Sequence, residues 1–148
     1  KMRKKRVFKS LALSACGILL LGNVGFAGGF NPQMQAYIEE LKSEAKAENP
    51  NFQDFDAKRG EVIFSTKNKG KNDTLLSCQS CHNVDLKTPA TNVFTNKTLE
   101  PLAPSVNPER LSDVKEVKKW LKRNFKDVFL REGSAQEKGD VLYYLILQ

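Results

Sequence analysis

Histidine occurs once in these 148 residues, as His82, and methionine twice, as Met2 and Met34. Cysteine occurs three times, but only Cys78 and Cys81 lie beyond the first 27 residues. Two thiols and one imidazole cannot complete the four-ligand shell of a zinc site. No internal repeat and no long low-complexity tract is present. A strong positive charge is also missing where it would count. The formal charge is +7, yet six of the 24 basic residues and none of the 17 acidic ones precede Gly28. The rest of the chain is nearly neutral, so the basic balance is no argument for a nucleic-acid partner.

Those first residues have a purpose of their own. Lys1 to Arg6 are almost all basic, and a largely apolar run follows from Val7 to Phe26. Gly25-Phe26-Ala27 ends it with small residues of the kind a signal peptidase reads, which predicts residues 1–27 as a signal peptide cleaved after Ala27. Met2 reads as the natural start. An uncleaved membrane anchor is the alternative, and the basic start with its small-residue exit weighs against it. Leu13-Ser14-Ala15-Cys16 also resembles a lipidation site, but Lys9 leaves only a short apolar stretch before Cys16. The expected destination is the periplasm.

Four helices can be read in the remainder. The first follows Asn31-Pro32, a capping residue with proline at the first helical position, and Met34, Tyr37, Ile38, Leu41 and Ala45 share one face. The second runs from about Asp56 through Val62, Ile63 and Phe64. The third starts near Ser112 or Asp113 and continues to about Phe129. The last opens on the capping box Ser134-Ala135-Gln136-Glu137 and carries Val141, Leu142, Tyr143, Leu145 and Ile146. Between them, Thr66 to Asp73 is polar and lysine-rich, which predicts a solvated loop. Residues 83–111 hold four prolines and little periodicity. So long an irregular stretch is unusual in a compact domain unless it wraps something.

Cys78-Gln79-Ser80-Cys81-His82 says what that is. C-x-x-C-H is the attachment signature of a c-type haem. Thiols three residues apart can reach the two vinyl groups on one porphyrin edge, and the following imidazole can turn onto the iron. A chance match in such a chain is on the order of one in a thousand. A thioredoxin-type dithiol would need a βαβ setting, and no such alternation is present. Cys78, Cys81 and His82 therefore predict one covalent haem c, with His82 as an iron ligand.

The second axial ligand is harder. A bis-histidine haem within one chain is excluded by count, and Met34 lies upstream of the motif on an apolar helix face, where core packing accounts for it. On the third helix Val114, Val117, Leu121, Asn124 and Val128 repeat at helical spacing, flanked by Trp120 and Phe125. Asn124 is thus an amide within an apolar stripe, where it needs a partner. Periodicity leaves two partners open, the haem iron on one side and backbone or a haem propionate on the other.

From about Phe55 to the C-terminus the chain resembles the SHP (sphaeroides haem protein) group of oxygen-binding monohaem cytochromes c. The resemblance rests on Ala57 to Phe64, the haem motif, Leu99 to Arg110, Lys119-Trp120-Leu121-Lys122-Arg123-Asn124, and Gln136 to Leu142. It implies an all-α, class I cytochrome c-like fold over residues 55–148, with residues 28–54 as an N-terminal helical extension. It implies a close crossing of the N- and C-terminal helices, for which Gly60 and Gly139 are suited. It places Asn124 as the distal haem ligand, loosened on reduction so that ferrous haem binds O2 or NO. It also implies a dihaem cytochrome c or other redox protein as electron donor, with oxygen reduction or nitric oxide dioxygenation as conceivable activities. A plain electron-transfer cytochrome with a permanent sixth ligand, Met34 or a lysine, is the competing expectation. Related members carry a cysteine directly after that asparagine and another about eight residues on, where this chain has Phe125 and Gly133. The paired absence is what loss of one disulfide would leave. Finally, Lys115, Lys118, Lys119, Lys122, Arg123 and Lys126 crowd the third helix, as a solvated face or as a docking surface for an acidic redox partner.

Overall fold

The computed structural model describes residues 29–148; the signal-peptide reading and Cys16 fall outside them. Helix α1 spans Pro32–Glu48, capped by the Asn31 side chain, which accepts the Met34 N–H at 2.8 Å. The Asn31 amide nitrogen also donates to the Ser112 carbonyl at 2.7 Å, joining the start of α1 to the approach of a later helix. The face formed by Met34, Tyr37, Ile38, Leu41 and Ala45 is buried, as its spacing predicts. Helix α2 spans Ala57–Ser65 behind an Asp56 cap. After it come β1 (Asn68–Lys69), a single 3₁₀ turn at Lys71–Asp73, β2 (Leu75–Leu76) and the one-turn helix α3 (Gln79–His82). Two more short strands, β3 (Ala90–Thr91) and β4 (Thr98–Leu99), form an antiparallel hairpin within the proline-rich stretch. Helices α4 (Val114–Phe129, capped by Asp113) and α5 (Ala135–Ile146) close the chain. The capping box at the head of α5 is complete, and the Glu48 carboxylate at the end of α1 adds an acceptor for the Ala135 N–H at 3.1 Å.

All four helices read from the sequence are present, and the strands are two-residue pairings, so the all-α expectation holds. The fifth helix, α3, is a single turn, too short for periodicity to register.

The polar segment 66–73 is mostly exposed, as expected of a solvated loop, but it is not irregular throughout. It is half of an antiparallel ribbon, β1 against β2, whose turn lies on the end of α4. Gly70 is buried there, and a side chain at that position would overlap the Asp127 carbonyl. Backbone approach at a glycine does the docking, so no apolar residue marks it in the sequence.

A single core joins α1, α2, α4 and α5, with Met34, Leu41, Phe64, Leu121, Phe125 and Leu142 among its buried members. Gly60 lets α2 lie directly against α5, since a Cβ there would overlap the Asp140 carbonyl and sit 2.9 Å from the Tyr144 Cβ. Gly139, next to Asp140 on α5, opens a slot for the Phe55 ring just ahead of α2. The crossing is locked by Asp140, whose side chain is 2 % exposed. It accepts Arg59 Nε at 2.9 Å, Arg59 Nη2 at 3.0 Å and the Asp56 N–H at 2.7 Å. Among the described residues no helix is long and apolar enough to cross a membrane.

Candidate haem site

The turn of α3 is built to present three side chains together. The N–H groups of Cys81 and His82 donate to the Cys78 carbonyl at 3.2 and 3.1 Å, and Asn83, with φ 63°, reverses the chain immediately after. Cys78, Cys81 and His82 consequently line one cavity of about 690 Å³. That volume lies within the ~300–1,000 Å³ range of cofactor pockets. Its walls are largely apolar, including Leu76, Leu99, Leu102, Val117, Leu121 and Leu142. The irregular stretch 83–111 supplies one side, through the β3–β4 hairpin with Phe94 and through Leu99, Leu102, Arg110 and Leu111. The expectation that this stretch wraps a cofactor fits that placement.

Burial sets the chemistry of the attachment residues. The His82 imidazole is pushed down to about 4, first by desolvation and then by the Arg110 charge, so it is neutral at neutral pH and has a free lone pair. Burial pushes the Cys78 thiol up to about 12, which leaves little thiolate for metal binding or redox exchange. Cys78 and Cys81 are not joined to each other. No group of three or more histidine, cysteine, aspartate or glutamate side chains among the described residues is placed to hold a metal ion. The donor set therefore suits a metal that arrives with most of its ligands, as in a porphyrin.

Asn124 lines the same cavity, from α4. It is half-buried, and its amide enters no side-chain hydrogen bond among the described residues, where no buried polar side-chain atom is left without a partner. Its side-chain polar atoms are therefore accessible, not sealed in the core without a partner. The stripe around it is slightly rotated from the expected one: Val117, Leu121, Phe125 and Val128 are buried, and Trp120 stands at the rim, 42 % exposed. Met34 is fully buried in the core and is not a lining residue. Lys97 is the one lysine that is.

The chain is 45 % identical over 94 residues to the cytochrome c-type protein SHP of Cereibacter sphaeroides, covering 63 % of this chain and 71 % of that protein. Residues 50–145 also match the family described as a domain of unknown function, DUF1924. The chain belongs to the SHP family. Among solved structures, that of oxidized SHP, an oxygen-binding cytochrome c, superimposes with a TM-score of 0.68 at 34 % identity. The match covers 81 % of this chain and 100 % of that one. The solution structure of cytochrome c'' from Methylophilus methylotrophus, described as giving insight into haem-ligand detachment, matches with a TM-score of 0.69 at 25 % identity. That match covers 78 % of this chain and 94 % of the other. This SHP-family chain is a monohaem c-type cytochrome with a class I-like helical fold and one haem c.

Phe125 and Gly133, the positions that the resemblance set for the two missing cysteines, face each other. A Cβ on Gly133 would meet the Phe125 ring at 2.8 Å, and Phe125 stacks on Phe129 with centroids 5.3 Å apart. Aromatic packing occupies the place of the expected cross-link. The basic residues of α4 are largely compensated. Lys118 pairs with Glu40, Lys119 with Glu116, and Lys122 and Lys126 both with Glu132. A solvated face explains them better than a free cationic docking surface.

Sequence reasoning missed Arg110 as a site residue. Its guanidinium donates to the carbonyls of Pro101 and Glu100, at 3.0 and 2.9 Å, and so fixes the loop that forms one cavity wall. The only signal was its presence in the segment Leu99 to Arg110 that carried the family resemblance.

Proposed function

We propose that this protein is a periplasmic gas-binding cytochrome, with His82 as the permanent axial ligand and Asn124 as a redox-dependent cap. The observation that carries the reading is the Asn124 amide. It lines the haem cavity with no side-chain hydrogen-bond partner, in a chain without a second histidine and with Met34 held elsewhere.

Haem c, when bound, supplies a one-electron iron centre able to take protein and gas ligands. Cys78 and Cys81 would hold it covalently, and the neutral His82 imidazole would donate its lone pair to the iron. The amide oxygen of Asn124 is a neutral, hard donor, better matched to ferric than to ferrous iron. An Asn124 amide serving as iron ligand would therefore be held less firmly in the reduced protein, where a diatomic molecule could take its place. O2 binding by the related SHP and the ligand detachment described for cytochrome c'' support this reading. Electrons come from a dihaem cytochrome c or another redox protein. Turnover, as oxygen reduction or nitric oxide dioxygenation, is a separate question answered by NO consumption in the presence of O2 and a donor.

The test is spectroscopic. The reduced protein is expected to be five-coordinate and to change its spectrum with CO and with NO. A low-spin, six-coordinate ferrous haem that ignores both gases refutes the proposal. Replacing Asn124 with Ala should turn the ferric haem from low-spin to high-spin, and an unchanged ferric spectrum moves the ligand elsewhere.

A further inference from the structure

One turn before Asn124, α4 carries Trp120, the only tryptophan in the chain. It lines the haem cavity, and the charged side chains that hold its ring, Glu116, Lys119 and Arg123, are themselves about half exposed, which places the ring at the cavity mouth. The indole N–H donates to Glu116 Oε2 at 3.0 Å. Lys119 Nζ lies 5.0 Å from the ring centroid and the Arg123 guanidinium carbon 5.4 Å. Lys119 is itself tied to Glu116 at 2.9 Å, which makes the cluster a unit. Glu116 and Arg123 line the same cavity. The ring is thus restrained at the rim by surface contacts, and side chains held by such contacts change rotamer within nanoseconds.

We propose that Trp120 is the door of the compartment beside Asn124, setting how fast a diatomic ligand enters and leaves. The inference rests on the gas-binding reading above. A door changes a barrier and not an end state. Entry and exit rates therefore change by one common factor, and affinity stays where it was. A residue that touched the bound ligand would change affinity instead.

The experiment uses the reduced holoprotein and CO. Flash photolysis gives the association rate, and displacement of CO by NO gives the dissociation rate. For Trp120→Ala both should rise together, by about tenfold, with the CO dissociation constant within about twofold of wild type. Glu116→Ala, which removes the indole's hydrogen bond, should raise both by a smaller common factor. Trp120→Phe keeps an aromatic cover and should lie between wild type and Trp120→Ala. The ferric spectrum should remain that of wild type in all three, because Asn124 is untouched. Association rates in Trp120→Ala equal to wild type overturn the door. So does a change in affinity carried by the exit rate alone, which would make Trp120 a ligand contact. Failure of the wild-type ferrous protein to bind CO at all is a different result, and it sinks the gas-binding reading itself.

Discussion

Replacing Asp140 with Ala removes the acceptor on which the crossing of α2 and α5 closes. Three hydrogen bonds end on this carboxylate, two from Arg59 and one from the Asp56 N–H. The losses are unequal. Arg59 has a side chain 47 % exposed, so its freed guanidinium is rehydrated and contributes little to the deficit. The Asp56 N–H starts α2 and loses its partner, at about 1–3 kcal/mol for a donor left without one. The space vacated beneath a side chain only 2 % exposed adds roughly 1 kcal/mol. The expected cost is therefore about 2–4 kcal/mol, below the ~3–5 kcal/mol typical of breaking a fully buried pair. Guanidinium unfolding of the ferric holoprotein, followed by far-ultraviolet circular dichroism, measures it. Asp140→Asn keeps an acceptor for the Asp56 N–H and should lose about half as much. A deficit under about 1 kcal/mol for Asp140→Ala would refute the claim that this carboxylate locks the crossing. So would equal losses for the two variants, since the argument puts most of the cost on the Asp56 N–H.

Gly60→Val forces a branched side chain into the Asp140 backbone, and overpacking against main chain should destabilise by at least about 3 kcal/mol, read as a lower denaturation midpoint with an unchanged slope. The Arg131 guanidinium, together with the Ser134 N–H, holds the Glu137 carboxyl below the usual carboxylate range. Stability from that pair is present above the unfolded-state value and is lost as pH falls through the lower folded-state value. The melting-temperature gap between wild type and Glu137→Gln should accordingly close on acidification below about pH 4.5 and stay constant from there to neutrality. Lys97 is the lysine that lines the haem cavity, so Lys97→Ala separates the two candidate sixth ligands. An unaltered ferric spectrum is expected, and a shift to high spin would favour lysine over Asn124.

Helix starts were legible because each is written in one or two side chains. Asn31 and Ser134 cap the helices they were expected to cap, and Asp56 and Asp113, near which the next two helices were expected to begin, cap theirs. The buried face of α1 follows from spacing alone for the same reason. Contacts made by backbone were not legible. The ribbon at 68–76 docks through Gly70, while its lysines stay in solvent as a polar loop would. Gly60 and Gly139 looked equivalent as small residues, yet Gly60 meets the backbone of α5 and Gly139 meets the Phe55 ring.

The sequence alone determined the cofactor chemistry, because covalent haem attachment needs adjacent residues: two thiols and an imidazole within five positions, Cys78 to His82. It also determined what the other axial ligand is not, since a count of histidines needs no geometry. Only the tertiary structure decided which residues share the haem cavity. Met34 and Asn124 both sit on apolar helix faces, and periodicity treats them alike. Packing separates them. The face of α1 closes against other helices in the core, whereas α4 lies along the cavity with Asn124 among the residues that line it. Which face of a helix meets a cofactor is a long-range fact, and no local pattern encodes it.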